Sequence, residues 1–143
     1  MQRETPMDLA LSQARKAYKK GEVPIGAVIV CGDKVISKAY NRRESTQNAL
    51  NHAEIIAIRR ACRRLRSWRL DDCVMYVTLQ PCVMCAGAIL NARIPKVVIG
   101  AKSDRINDLE IYQNNNLNWK TQVEMLDSEE CSALLRNFFA EKR

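Results

Sequence analysis

Apolar residues recur along this chain at two periods, and each change of period marks an element. Met7, Leu11, Ala14 and Tyr18 fall at helical spacing, which predicts a helix with one buried face. Thr5, Pro6 and Asp8 supply its N-cap, its first position and the third position of a capping box, and Gly21 ends the pattern. Two apolar runs, residues 25–30 and 35–40, flank Cys31-Gly32-Asp33-Lys34 and predict a hairpin. Residues 41–51 are rich in Asn, Arg, Glu, Ser and Thr and predict a loop.

The helical period then returns. Asn51 is the expected N-cap, with Ala53, Ile56, Ala57, Ile58, Ala61, Cys62 and Leu65 as an apolar stripe and basic residues on the other side. Residues 73–79 predict a third strand that runs into Pro81, a residue suited to the first turn of a helix continuing through Val83, Met84, Ala86, Ile89 and Leu90. Residues 96–100 predict a fourth strand, and strand, helix, strand in that order implies a parallel, right-handed crossover. Ile106, Leu109 and Tyr112 suit a short helix, residues 114–118 a loop, and residues 121–125 a fifth strand. Asp127 and Glu130 form the expected capping box of a last helix, whose stripe is Cys131, Leu134, Leu135, Phe138 and Phe139. The sum is an α/β fold in three layers: a mixed five-stranded sheet with helices on both faces, in one domain spanning residues 1–143.

Composition agrees. A chain of 143 residues, 47% apolar and 27% charged, can bury a continuous core without disulfides and is not composed like a disordered one. No apolar stretch approaches the roughly 20 residues a bilayer demands. The start, Met1-Gln2-Arg3-Glu4-Thr5, lacks a secretory apolar segment, so a cytoplasmic protein without a membrane partner is expected. Of six cysteines (Cys31, Cys62, Cys73, Cys82, Cys85, Cys131) only Cys82 and Cys85 are closely spaced, which fits one thiolate site better than a disulfide framework. Lysine and arginine number 23 against 16 acidic residues, a formal charge of +7 that favours a polyanionic partner.

Cys82 and Cys85 are three residues apart at a predicted helix start, so both can face one point. Alone, such a pair favours a metal site and leaves open a redox dithiol or two packed core cysteines. His52 is the only histidine and also opens a predicted helix. Together the three make a zinc ligand set that leaves one tetrahedral position open, as catalytic sites do. Glu54, two residues from His52, points away from it around a helix and suits a proton-carrying group better than a ligand. Its bland alternative is the third position of a capping box with Asn51. His-x-Glu followed by Pro-Cys-x-x-Cys is the signature of zinc nucleobase deaminases.

On these residues the chain resembles the bacterial tRNA-specific adenosine deaminases. The similar stretches are Gly21 to Val28, Tyr40 to Glu44, His52-Ala53-Glu54, Thr78 to Ile89 and Glu130 to Phe139. Guanine deaminases and the deaminase domain of riboflavin synthesis share the zinc residues, whereas the first two stretches look specifically like the tRNA enzymes. The resemblance implies a cytidine deaminase-like fold, one Zn²⁺ per subunit and a homodimer with active sites close to its interface. It also implies hydrolysis of adenosine to inosine at the wobble position of a tRNA anticodon stem-loop, or in other single-stranded nucleic acid. In the same terms Asn41 would bond the base, Val28 and Ala53 would line its pocket, and Arg42 and Arg43 would lie at its mouth. Arg59, Arg60, Arg63, Arg64, Arg66 and Arg69 suit phosphate contacts or a solvated helix face.

The departures lie in residues 102–124, where the family's glycine-rich turn is missing, the loop is shorter, and Trp119 replaces a common histidine. Gln80 also stands where the family has glutamate. Competing functions are deamination of adenine in DNA or of a free base such as guanine or cytosine. Outside catalysis they are zinc-stabilised RNA binding, which would tolerate loss of Glu54, and dithiol redox chemistry, which would not need His52.

Overall fold

Thr5 and Asp8 start the fold reciprocally. The Thr5 hydroxyl accepts from the Asp8 N–H at 3.1 Å, the Asp8 carboxylate accepts from the Thr5 N–H at 2.9 Å, and α1 (Pro6–Lys19) follows. The protein is seen in a computed structural model that describes residues 4–104 and 109–142. The hairpin forms as expected, with β1 (Gly26–Cys31) antiparallel to β2 (Lys34–Tyr40). The predicted loop after it contains a single helical turn, α2 (Arg43–Thr46). Then come α3 (Ala53–Leu65), β3 (Cys73–Val77), α4 (Val83–Asn91), β4 (Lys96–Ile99), a 3-10 turn at Glu110–Tyr112, β5 (Gln122–Met125) and α5 (Glu129–Glu141). Ile106, expected in the short helix with Leu109 and Tyr112, lies outside the described residues.

The sheet is mixed, in the order β2-β1-β3-β4-β5. β1 pairs antiparallel with β3, while β3 with β4 and β4 with β5 are parallel. Central β1 is apolar throughout because both its faces are covered. Ala27 and Ile29 join α3 and α4 in the larger core, whereas Val28 and Val30 join Met7, Ala10, Leu11 and Cys131 from α1 and α5 in the other. Helices therefore pack on both faces. At Gly26 the α1 backbone lies so close that a Cβ would come within 2.0 Å of the Ala10 carbonyl oxygen.

Several helix starts differ from expectation, each for a local reason. Asn51 does not cap α3, because its side chain is spent elsewhere: Nδ2 donates to Thr46 Oγ1 at 2.9 Å and Oδ1 accepts from Arg59 Nη2 at 3.3 Å. His52 is the N-cap instead. Pro81 lies before the first turn of α4, whose N-cap is Cys82, and β3 ends at Val77 rather than residue 79. Asp127 takes a left-handed backbone turn (φ 51°), so Ser128 caps α5 by accepting from the Cys131 N–H at 3.2 Å. Only Cys131 and Phe138 of the α5 stripe are buried; Leu134 and Leu135 are half-buried, and Phe139 is 45% exposed.

Candidate metal centre and active site

Parallel β3 and β4 require a crossover, and α4 supplies it, so the helix begins where the β3 chain leaves the sheet. The same end of the sheet receives the start of β1 and the end of β2: the Thr78 N–H donates to the Gly26 carbonyl at 3.1 Å, and the Asn41 N–H to the Ile25 carbonyl at 3.0 Å. His52 and Cys82 are the N-caps of α3 and α4. The imidazole Nδ1 of His52 lies 3.6 Å from Cys82 Sγ and 3.5 Å from Cys85 Sγ. One ligand atom from each of the three residues falls within 4.8 Å of the others.

The thiols of this cluster are unequal. Cys82 is held down to about 5, first by a hydrogen bond from Cys85, then by the backbone N–H of Cys85, the charge of His52 and the backbone N–H of Met84, against an opposing effect of burial. Those N–H groups belong to the unpaired first turn of α4, whose positive end favours thiolate. Cys85 is pushed far up by its bond to Cys82, by burial and by Glu54. One nitrogen and two sulfurs converging on one point match the ligand preference of a single Zn²⁺ ion, which would be held by both sulfurs as thiolates.

Glu54 is the second residue of α3 and only 3% exposed. Burial pushes its carboxyl up to about 7. Its Oε1 has no hydrogen-bond partner among the described residues. A capping-box role with Asn51 is absent, since Asn51 does not cap the helix. A buried carboxyl near neutrality, with one oxygen uncommitted beside an N/S/S cluster, can both accept and return a proton.

The remaining expected residues divide. Asn41 is buried at the sheet end, where Oδ1 accepts from the Arg43 N–H at 3.3 Å and Nδ2 donates to the Val23 carbonyl at 3.4 Å. Arg42 is the N-cap of α2 with its guanidinium over the Tyr40 ring, and Arg43 begins that helix. Ala53 is fully buried between the candidate ligand His52 and Glu54. Val28 is not brought to this end: strand alternation turns it to the opposite face of the sheet, in the core under α1. The basic stretch is largely engaged within the chain. Arg60 donates to the Lys38 carbonyl, Arg64 to the carbonyls of Val35 and Ile36, Arg59 to Asn51, and Arg69 pairs with Asp71; Arg63 and Arg66 are exposed. Arg60 and Arg64 thereby blunt the edge strand β2.

Two features were not anticipated. Glu22 is buried, and its carboxylate accepts from the N–H groups of Glu44 at 3.1 Å and Ser45 at 2.6 Å, capping α2 from outside it. An acidic residue just after a helix-ending glycine carries no signal of that role. Leu50 and Val83, close in sequence to the ligand-bearing positions, are exposed apolar side chains, Val83 by 76%. Gln80 is buried, and its Oε1 accepts from the Ser103 N–H at 3.1 Å, which fastens the chain after β4 beside the cysteines.

Comparison with known proteins agrees with this geometry. A family model described as MafB19-like deaminase matches residues 1–143. The chain is 42% identical to the tRNA-specific adenosine deaminase of Bacillus subtilis (strain 168), over 99% of this chain and 91% of that protein. It is 40% identical to the enzyme of the same name from Aquifex aeolicus (strain VF5), over 100% and 97%. Among solved structures, one from work on A-to-I editing by deaminases at the wobble position of transfer RNA superimposes with a TM-score of 0.86 at 37% identity, covering 91% of this chain and 98% of that one. A guanine deaminase from Bacillus subtilis superimposes less well, with a TM-score of 0.68 at 30% identity, over 99% and 94%.

Proposed function

We propose, because this chain belongs to the MafB19-like deaminase family and within it to the tRNA-specific adenosine deaminases, that it hydrolyses adenosine to inosine at the wobble position of a tRNA anticodon. The observation that carries this reading is the convergence of His52, Cys82 and Cys85 beside the buried, uncommitted carboxyl oxygen of Glu54. His52 Nδ1 and the two sulfurs would hold one Zn²⁺ per subunit. Zinc, when bound there, supplies the Lewis acidity that makes water a nucleophile at neutral pH.

The protein's own work is proton transfer and orientation. Glu54 takes a proton from the attacking water as its oxygen bonds to C6 of the adenine, and delivers one to N1. It then carries the proton of the new C6 hydroxyl to the exocyclic amine, the C6–N bond breaks as the C6 carbonyl forms, and ammonia leaves with inosine as the other product. Net, one water is consumed and one ammonia released. A carboxyl poised at about 7 can make both transfers without a large penalty in either direction. Asn41, tied to Val23 and Arg43 at the sheet end, would bond the base in this proposal, and Ala53 would line its pocket. Arg42 and Arg43 on α2 suit the phosphates of a looped strand.

The assembly is a homodimer in this proposal. A groove of about 600 Å³ between α3 and α4, lined by Ile55, Ile58, Cys62, Trp68, Ala88 and Ala92, among others, offers an apolar face with Trp68 60% exposed. The cytoplasm is the proposed location: all six cysteines are free thiols, and no described helix is long and apolar enough to cross a membrane.

A substrate panel tests the reading. Zinc-loaded protein is incubated with an adenosine-containing anticodon stem-loop, single-stranded DNA of the same sequence, adenosine, guanine and cytosine, each at low and high salt. Inosine from the stem-loop with a steep loss at high salt is the expected result. Salt-insensitive turnover of a free base would replace this reading with that of a small-molecule deaminase.

A further inference from the structure

Tyr112 is a buried polar group beside this site that the reaction above does not use. It ends the 3-10 turn, and its backbone is pinned on both sides. Its carbonyl accepts from the Thr121 N–H at 2.8 Å, its N–H donates to the Leu109 carbonyl at 3.2 Å, and the Thr121 hydroxyl donates to the Ile94 carbonyl at 2.7 Å. So anchored, the side chain enters the larger core, where it is 1% exposed and belongs to the same cluster as Ala53 of α3 and Ala86 and Ile89 of α4.

The hydroxyl at its tip has no hydrogen-bond partner among the described residues. Only one other buried side-chain polar atom is in that condition among the described residues: Glu54 Oε1. The two are close enough to feel one another. After burial, the charges of Glu54, Cys85 and Cys82, in that order, drive the phenol above its ordinary range. A buried tyrosine hydroxyl usually finds a partner, and one left unpaired is costly where phenylalanine would fill the same space. A donor without an acceptor and an acceptor without a donor, the one packed in the core layer that the other's helix α3 helps to build, answer that cost together.

We infer that Tyr112 is a positioning residue for the deamination: its hydroxyl donates, through one buried water, to the Glu54 carboxylate and fixes the rotation of that carboxylate. The two groups make no direct bond, whereas a water between two such partners has the pairing that buried waters need. The consequence is mechanistic. Glu54 must present one oxygen first to water and then to the base, and a carboxylate free to turn about its last torsion loses rate through misalignment. This inference rests on the reading of Glu54 as the proton carrier.

The test is a double-mutant cycle with two readouts. Tyr112→Phe, Glu54→Ala and the double variant are prepared with zinc, and zinc content, urea midpoint and steady-state kinetics on the anticodon stem-loop are measured. Tyr112→Phe is expected to keep its zinc and its KM while kcat falls about tenfold. It should lower the urea midpoint in the parent chain yet leave it unmoved or raised in the Glu54→Ala background. A midpoint shift that is the same in both backgrounds, or a kcat within about twofold of the parent, would show Tyr112 to be core packing and overturn the inference. Absence of inosine from the parent protein would instead strike the deaminase reading, and the midpoint cycle would still decide whether the two side chains are coupled.

Discussion

The imidazole Nδ1 of His52 lies 3.5 Å from the Sγ of Cys85, and the two residues arrive there on the opening turns of separate helices, α3 and α4. Each helix brings the positive end of its dipole and a set of unpaired N–H groups to the same place. The hydrogen bond that Cys85 donates, and after it the N–H groups at the start of α4 and the charge of His52, hold the thiol at Cys82 near 5, while Cys85 keeps its proton. The metal-ligand cluster is thus a property of how the crossover starts, and not of any one loop.

His52→Ala removes the only nitrogen of the set. Zinc measured by elemental analysis after dialysis should fall from stoichiometric to background, and inosine formation should fall below detection. A variant that is active without metal would refute the ligand assignment.

Glu22 is the less obvious test. Replacing it with Ala leaves the N–H groups of Glu44 and Ser45 without their acceptor, at a cost of about 2–3 kcal/mol. Because α2 carries Arg42 and Arg43, the expected kinetic signature is a raised KM for the stem-loop with zinc content unchanged. An unaltered KM would mean that α2 takes no part in RNA binding.

The arginines separate into two groups by what they already hold. Arg42→Gln with Arg43→Gln should weaken stem-loop binding and reduce the salt slope by roughly 0.7 for each phosphate that is no longer neutralised. Arg60→Gln with Arg64→Gln removes bonds to the β2 carbonyls and should lower stability while leaving the slope as it was. Fluorescence titrations at several salt concentrations distinguish the two outcomes.

Gly26→Ala tests the seat of α1. The new Cβ would stand 2.0 Å from the Ala10 carbonyl oxygen and 2.7 Å from the Ala14 nitrogen. Both are backbone atoms, so the helix itself must shift, at about 1–3 kcal/mol. A urea midpoint equal to that of the parent would show that α1 can move aside freely.

Much of this was legible in sequence because it depends on short-range pattern. The apolar runs of β1 and β2, the Thr5 and Asp8 box, and the spacing of Cys82 and Cys85 are each local in the chain. What was illegible depends on competition between partners far apart in the chain. Asn51 has the chemistry of an N-cap but is claimed by Thr46 and Arg59, so His52 takes that position. Arg60 and Arg64 present charge to a reader of sequence, yet their guanidinium groups close the edge of β2. Val28 belongs to a stretch shared with the tRNA enzymes, but strand alternation sends its side chain to the far core. Glu22 reaches α2 across the whole β1–β2 hairpin, and Tyr112 meets α3 and α4 only through the fold; neither leaves a periodic trace.

Nucleoside mass spectrometry on an adenosine-containing anticodon stem-loop, with zinc-loaded parent protein and Glu54→Gln side by side, tests the central claim most directly. Inosine from the parent, and a rate lower by about 10²–10⁴-fold from a Glu54→Gln protein that retains its zinc, is the expected result. Equal inosine from both proteins would contradict Glu54 as the proton carrier, and no inosine from folded, zinc-loaded parent would contradict the assignment of adenosine in the anticodon as the substrate.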